Sequence, residues 1–226
     1  MQVQIHSLSW PDSDVRMENA QDLVFQHFGL PLQRHKLKMR HGLWMDEVLR
    51  QSKVDVVGFV DNDCIPLNSD IVRYTATYAG QHKTFFGIAQ ASNHIGTKSH
   101  IFAAPAFFFI YRQCWFDLGC PTFAETARSD VAEEVSYVAE EKGLRYRAFY
   151  PTHFEAEPVE GVWRLSNYGF FGIGTVFADS IYHLYQGRFK HNVDRFVKCS
   201  EQVVNGTFST SGMFESRLHY NGRIAP

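Results

Sequence analysis

The spacing of apolar and polar positions changes repeatedly along the chain, and each change marks an element. "VQIHSL" (3–8) alternates with the period of a strand. After the turn residues "WPDSD", the segment "RMENAQDLVFQHFG" carries a helical pattern that closes on Gly29, a residue suited to a helix C-terminus. "LQRHKLKM" (32–39) alternates again, "HGLWMDEVLRQSK" predicts a short helix, and "VDVVGFV" (54–60) predicts a buried strand from its β-branched and aromatic content. Downstream, "SDIVRYTATYAG" (69–80) reads as a helix, and "KTFFGIAQAS" and "APAFFFIYR" as strands. "SDVAEEVSYVAEEKG" (129–143) is the clearest helix: Ser129 is placed to cap it, acids occupy its early turns and Gly143 stands at its exit. "LRYRAFYP" predicts one strand, "TVFADSIYHLYQG" (175–187) another, and the pattern beyond residue 200 is irregular. Strands alternating with helices imply an α/β fold whose ligand loops lie at the C-terminal ends of parallel strands. With no repeat and no Pro/Gly-rich linker, residues 1–226 are expected to form a single domain.

Composition narrows the function classes. A chain of 226 residues with 45% hydrophobic content can bury a sizeable core. A net charge of -2 and a pI near 6.6 give no electrostatic basis for binding nucleic acid or an acidic membrane surface. "MQVQIHSLSW" lacks the basic start and apolar run of a signal peptide, and no window approaches the ~18 uninterrupted apolar residues of a membrane span. Cys64, Cys114, Cys120 and Cys199 form no CxxC pattern, so reduced thiols and a cytoplasmic location are expected.

The candidate chemistry begins where "VDVVGFV" stops abruptly at Asp61-Asn62-Asp63. Two aspartates at a strand terminus that bends can both reach one hard divalent cation, whereas the plain alternative is a solvated turn capped by its own acids. The apolar segments on both sides, "VDVVGFV" and "CIPL", favour a site. The glycines of "GFFGIG" (169–174) do not match the GxGxxG dinucleotide pattern. The 15% aromatic share, including Trp115, Phe116, Phe123, Tyr150, Phe154 and Trp163, fits either core or a sugar-stacking groove.

"VVGFVDNDCIPL" resembles the metal-binding DXD segment of GT-A glycosyltransferases. Further segments resemble that family's in the same order over about residues 3 to 197: "HGLWMDEVLRQSKVDVVGFVDND", "APAFFFIYRQCWFDLGCPTF", "RSDVAEEVSYVAEEKG" and "IYHLYQGRFKHN". The resemblance implies a GT-A (Rossmann-like) fold with a mixed, mostly parallel sheet flanked by helices. Its nucleotide-binding half would cover about residues 1–100, its acceptor half about 101–200, and an irregular tail would follow. It implies a metal-dependent, inverting transfer of a hexose from a nucleotide diphosphate sugar, UDP-linked by expectation, to a sugar, lipid or protein acceptor. Asp61, Asp63 and His183 would hold Mn²⁺ or Mg²⁺; Asp130 or Glu133, with Glu134 beside them, would supply the base. Ser7, Ser9, Trp10, Arg40, His41, Asp46, Asn62 and Lys190 would meet the nucleotide sugar, with Arg188 beside Lys190. The chain departs from the family pattern where "HLWHG" is replaced by His183-Leu184-Tyr185-Gln186-Gly187, and where "SDVAEE" stands for a plain "ED". A nucleotidyltransferase of similar fold is one alternative, although "SLSWPDSD" is neither Gly-rich nor basic as a triphosphate loop should be. A catalytically silent nucleotide- or sugar-binding protein is the other.

Overall fold

A computed structural model of the chain describes residues 1–92, 100–155, 161–187 and 189–217. The elements in order are β1 (Val3–Ser9), α1 (Val15–His27), β2 (Leu32–Lys36), α2 (His41–Gln51), β3 (Val56–Val60), β4 (Cys64–Pro66), α3 (Ser69–His82), β5 (Phe85–Ala91), β6 (Ile101–Tyr111), α4 (Arg112–Asp117), α5 (Glu133–Glu141), β7 (Arg147–Phe149), β8 (Pro151–Phe154), β9 (Val162–Arg164), β10 (Phe170–Gly172), β11 (Gly174–Phe177), β12 (Ile181–Leu184), α6 (Lys190–Val204) and β13 (Phe214–Glu215). They divide into two compact units interleaved along the chain. The first comprises residues 1–11, 32–61 and 72–149, and the second residues 12–31, 62–71 and 150–226.

The first unit is built on a six-stranded sheet in the order β2-β1-β3-β6-β5-β7. The β1–β2, β1–β3 and β5–β7 pairs are parallel and the β3–β6 and β5–β6 pairs antiparallel, so β6 alone runs against the other five strands. The sheet is therefore mixed and mostly parallel, as the family resemblance implies. Strand alternation sends successive side chains to opposite faces. Val57, Phe59, Phe85, Phe108 and Ile110 pack with Trp44, Met45 and Leu49 of α2, Trp115 of α4 and Val135 and Ala139 of α5. The neighbouring Phe86 instead meets Tyr74 and Tyr78 of α3, so helices cover both faces. Pro105 lies within β6, where it has no N–H to give the ladder. The pairing with β5 shifts between Gly87 and Ile88 opposite this stretch, and an added Cβ at Gly87 would stand 2.9 Å from the Ala104 carbonyl oxygen.

The second unit holds a five-stranded sheet in the order β13-β8-β11-β12-β4 and the separate β10–β9 pair. Its core joins Met17, Ala20 and Val24 of α1 with Val193, Phe196 and Val203 of α6, over Ile65, Val176, Tyr182 and Leu184 from the strands.

Four expectations are corrected. The strand predicted over 175–187 is a hairpin, β11 and β12, turned by Ala178 and Asp179, both at positive φ (47° and 51°). "LRYRAFYP" is split between β7 in one sheet and β8 in the other. Residues 190–204, read in part as irregular, form α6. The helix predicted from Ser129 starts at Glu133, preceded by Ala132 at φ 69°, because Ser129 is engaged instead with Thr126, side chain to side chain at 2.7 Å.

Candidate metal and donor site

β3 ends at Val60 and the Asp61 amide donates to the Ala106 carbonyl, fixing the first acid at the strand's C-terminal end. Two residues on, Asp63 immediately precedes β4. The antiparallel register of β4 and β12 places His183 opposite Cys64, and the Leu184 amide donates to the Asp63 carbonyl at 2.9 Å. Backbone pairing therefore delivers an imidazole from 120 positions downstream to the acid: His183 Nε2 lies 3.4 Å from Asp63 Oδ1. Asp61, Asp63 and His183 offer ligand atoms that all lie within 4.8 Å of one another.

The donor set suits a divalent cation. Oxygen ligands stand about 2.1 Å from an ion the size of Mg²⁺, so two of them are at most about 4.2 Å apart. The observed spread of 4.8 Å or less is within a small side-chain adjustment of that span. Two carboxylates with one imidazole accommodate Mn²⁺ as well as Mg²⁺. His183 is buried, and its Nδ1 has no hydrogen-bond partner among the described residues. Gly187 leaves room for the cluster: a Cβ there would stand 2.9 Å from Asp63 Oδ2 and 3.1 Å from Met17 Cε. The Tyr185 ring lies 4.2 Å from the His183 ring and in turn meets Trp163 and Phe171, an aromatic flank on the histidine.

His41, the first residue of α2, sets its Nε2 3.2 Å from Asp61 Oδ1 and stacks on Trp44. The other expected donor contacts lie on or beside β1, α2 and α6 and in the turn between β3 and β4. Ser7 and Ser9 are buried on β1, and Trp10 is exposed beyond it. Arg40 is exposed and reaches Glu125 at 3.2 Å. Asp46 is buried on α2 and accepts from the Thr122 hydroxyl at 2.8 Å and the Phe123 amide at 3.0 Å, so it ties down the loop after α4. Asn62 stands half-buried between the two acids, and Lys190 is exposed at the start of α6. Arg188 lies outside the described residues.

Asp130, just ahead of α5, and Glu133, its first residue, are joined by hydrogen bonding. Asp130 Oδ1 accepts from the Val131 amide, while Glu133 Oε2 accepts from the Asp130 amide at 2.8 Å. Glu133 is almost wholly buried, and its Oε1 meets His100 Nδ1 at 2.8 Å. Glu134 is turned away to Arg128, whose hydrogen bonds hold its carboxyl below the usual range. His100 is a partner that sequence reasoning missed, since nothing local in the sequence couples it to an acid 33 positions away.

No family model matches the chain, and no curated protein does. Among solved structures it is similar to a Drosophila β1,4-galactosyltransferase 7 mutant in complex with manganese, UDP-Gal and xylobiose. That match has 12% identity and a TM-score of 0.42, and covers 64% of this chain and 64% of that one. A glycosyltransferase involved in glycosylation of the major capsid of PBCV-1 is similar at 11% identity and TM-score 0.41, covering 66% of this chain and 81% of that one. A CMP:2-keto-3-deoxy-manno-octonic acid synthetase complexed with CTP is similar at 9% identity and TM-score 0.41, covering 66% and 90%. Glycosyltransferases and nucleotidyltransferases thus both stand among the similar structures. At TM-scores below 0.5 none of these likenesses assigns an activity to this chain.

Proposed function

We propose that the chain is a metal-dependent glycosyltransferase that moves a hexose from a nucleotide diphosphate sugar, a UDP-sugar in the first instance, to an acceptor hydroxyl with inversion. The observation that carries this reading is the convergence of Asp61, Asp63 and His183 at the end of a buried strand in an α/β sheet. A cation held there would act as a Lewis acid on the departing diphosphate. His41 fixes the Asp61 carboxylate, and the β4–β12 pairing fixes Asp63 against His183, so both acids are oriented before a donor arrives. Ser7, Ser9, Trp10, Arg40, Asp46, Asn62 and Lys190 are assigned to the nucleotide sugar, and the Asp130–Glu133 pair to the acceptor proton.

The test is calorimetry of the protein with UDP, with and without Mn²⁺, repeated on Asp63→Ala. Manganese-dependent binding that weakens in the variant by more than the roughly 10–100-fold seen for outer-shell residues supports the reading. Binding that ignores both the metal and the substitution sinks it. Turnover of UDP-hexoses then separates a transferase from a silent binding protein, and pyrophosphate release from a nucleoside triphosphate would instead mark a nucleotidyltransferase.

A further inference from the structure

Within the second unit, Asp63 and His183 are backed by the turn that joins β12 to α6. The Leu184 amide ties the end of β12 to the Asp63 carbonyl, and the next amide, that of Tyr185, donates to the Ile173 carbonyl at 2.6 Å. The chain then passes through Gln186 at φ 60°, a left-handed conformation that a non-glycine residue keeps only where its surroundings hold it. Gly187 follows, so close to the acid that a Cβ there would stand 2.9 Å from Asp63 Oδ2 and 3.2 Å from Asp63 Cβ. The path of the backbone through 186 and 187 therefore sets the room left to the Asp63 carboxylate.

The side chain of Gln186 is exposed, whereas its carbonyl is gripped from the helix. Two donors converge on that oxygen, the Phe189 amide at 3.2 Å and Asn192 Nδ2 at 3.0 Å. Asn192 is the third residue of α6, and its own amide donates to the Phe189 carbonyl at 2.9 Å, so backbone and side chain both reach back over the turn. A polar side chain at this helical position commonly accepts from the N-cap amide. Here the N-cap amide, that of Phe189, is already on Gln186, and Asn192 joins it as a second donor.

Burying this amide has a cost that packing alone does not explain. Asn192 is 1% exposed, and its Oδ1 has no hydrogen-bond partner among the described residues. Turning the amide over would set its oxygen against the Gln186 carbonyl oxygen, so the unmatched acceptor cannot be relieved without giving up the bond. A leucine would fill much the same space and bury no unmatched acceptor. Local rules of stability are broken in this way where a site fixes the geometry.

We propose that Asn192 is a positioning residue for the metal site: by holding the Gln186 carbonyl it keeps the turn left-handed and Gly187 packed behind Asp63, so that the carboxylate is aimed with His183 at one cation. This rests on the metal-dependent reading above. At the position where the chain departs from the pattern it resembles, the backbone of Gln186 serves the site and its side chain does not.

The experiment is calorimetry of Mn²⁺ binding to the intact chain and to Asn192→Leu, Gln186→Gly, Gln186→Val and the combined Asn192→Leu, Gln186→Gly variant, with metal-free thermal unfolding of each as the check on folding. Asn192→Leu should weaken Mn²⁺ binding about 10–100-fold, the scale of losing a group one step behind a ligand. Glycine takes positive φ without a Cβ penalty, so the loss caused by Asn192→Leu should shrink when it is measured on top of Gln186→Gly. A role confined to packing α6 would give the same loss with and without the glycine. Gln186→Val alters only an exposed side chain, but a β-branched residue fits left-handed backbone poorly, so it should also weaken Mn²⁺ binding, and it carries the test should Asn192→Leu not fold. Equal losses with and without Gln186→Gly, or an Mn²⁺ affinity unchanged in either Asn192→Leu or Gln186→Val, overturn the positioning role and leave the metal site standing. An intact chain that does not bind Mn²⁺ overturns the metal reading and the positioning role together.

Discussion

A methyl group on Gly187 would arrive 2.9 Å from Asp63 Oδ2 and 3.1 Å from Met17 Cε, both at the ends of side chains that can move. Gly187→Ala should therefore leave the fold nearly as stable as before while displacing one candidate metal ligand. Thermal unfolding without metal is expected to stay close to that of the unsubstituted protein, and Mn²⁺ binding by calorimetry to weaken; unchanged Mn²⁺ affinity would detach Asp63 from the metal. His6 supplies a second prediction at this scale. Burial, and then His35 at 2.9 Å, hold its pKa down to about 4 from 6.5. A histidine with a lowered folded pKa binds its proton more readily in the unfolded chain, so its stabilising contribution is full above pH 6.5 and is lost as pH falls from 6.5 toward 4. A tenfold difference in proton affinity between the folded and unfolded chain corresponds to about 1.4 kcal/mol. Urea unfolding of His6→Gln should show a flatter decline over that window, and an identical slope would refute the assignment. Of these residues, Asp61 and Asp63 are legible in the sequence because their meaning is local, two acids ending an apolar run. His183 enters the sequence reading only through the family resemblance, because its place beside Asp63 depends on the β4–β12 register, and the carboxylate contacts of Asp46 lie 76 and 77 positions away, relations that no local pattern encodes.

Among the elements, those in the first 90 residues follow their hydrophobic period closely, because amphipathic helices and buried strands there are bounded by ordinary turn residues. The hairpin β11–β12 is hidden by its turn. Hairpin turns with positive φ at two consecutive positions favour Asn-Gly, whereas this one, with Ala178, Asp179 and Ser180 between the paired Phe177 and Ile181, uses Ala178-Asp179 there and reads through as continuous strand. The same mismatch makes a prediction. Left-handed backbone costs about 1–2 kcal/mol per ordinary residue, and Asn and Gly relieve most of it. Replacing Ala178 and Asp179 together by Asn and Gly gives up the 3.3 Å contact of His153 with Asp179, whose side chain is 69% exposed and contributes little. The double variant should unfold at a higher temperature by differential scanning calorimetry. A lower one would mean that the turn's own side chains outweigh its backbone strain. The start of α5 is misplaced by the sequence pattern for a related reason: capping chemistry at Ser129 is plausible in sequence, but the hydroxyl is satisfied by Thr126, and the helix waits for the Asp130–Glu133 bond.

For the molecule as a whole, the class of fold can be read from the sequence and the order of its sheet cannot. Alternating strands and helices announce an α/β protein, yet the reversal of β6 and the sequence β2-β1-β3-β6-β5-β7 are set by pairings between distant segments. The interleaving of the two units is equally silent in the sequence, since no linker composition marks where the chain leaves one and enters the other. No helix among the described residues is long and apolar enough to cross a membrane. A metal bound by Asp61, Asp63 and His183 has a consequence for the entire fold, because those three ligands meet only when β3, β4 and β12 are in place. The unfolded chain scatters them, so a cation that binds them binds the native state preferentially and stabilises it by mass action. At a hundredfold excess over its dissociation constant that amounts to about 2.7 kcal/mol. Added Mn²⁺ should therefore raise the unfolding temperature in a concentration-dependent way, chelation should reverse it, and Asp63→Ala should abolish the dependence without lowering the metal-free value by a comparable amount. Removing the acid also relieves a pair of carboxylates held close together, so the metal-free variant is expected to be no less stable than the parent. If Mn²⁺ leaves the unfolding temperature where it was, the three side chains are a hydrogen-bonded strand end and hold no ion.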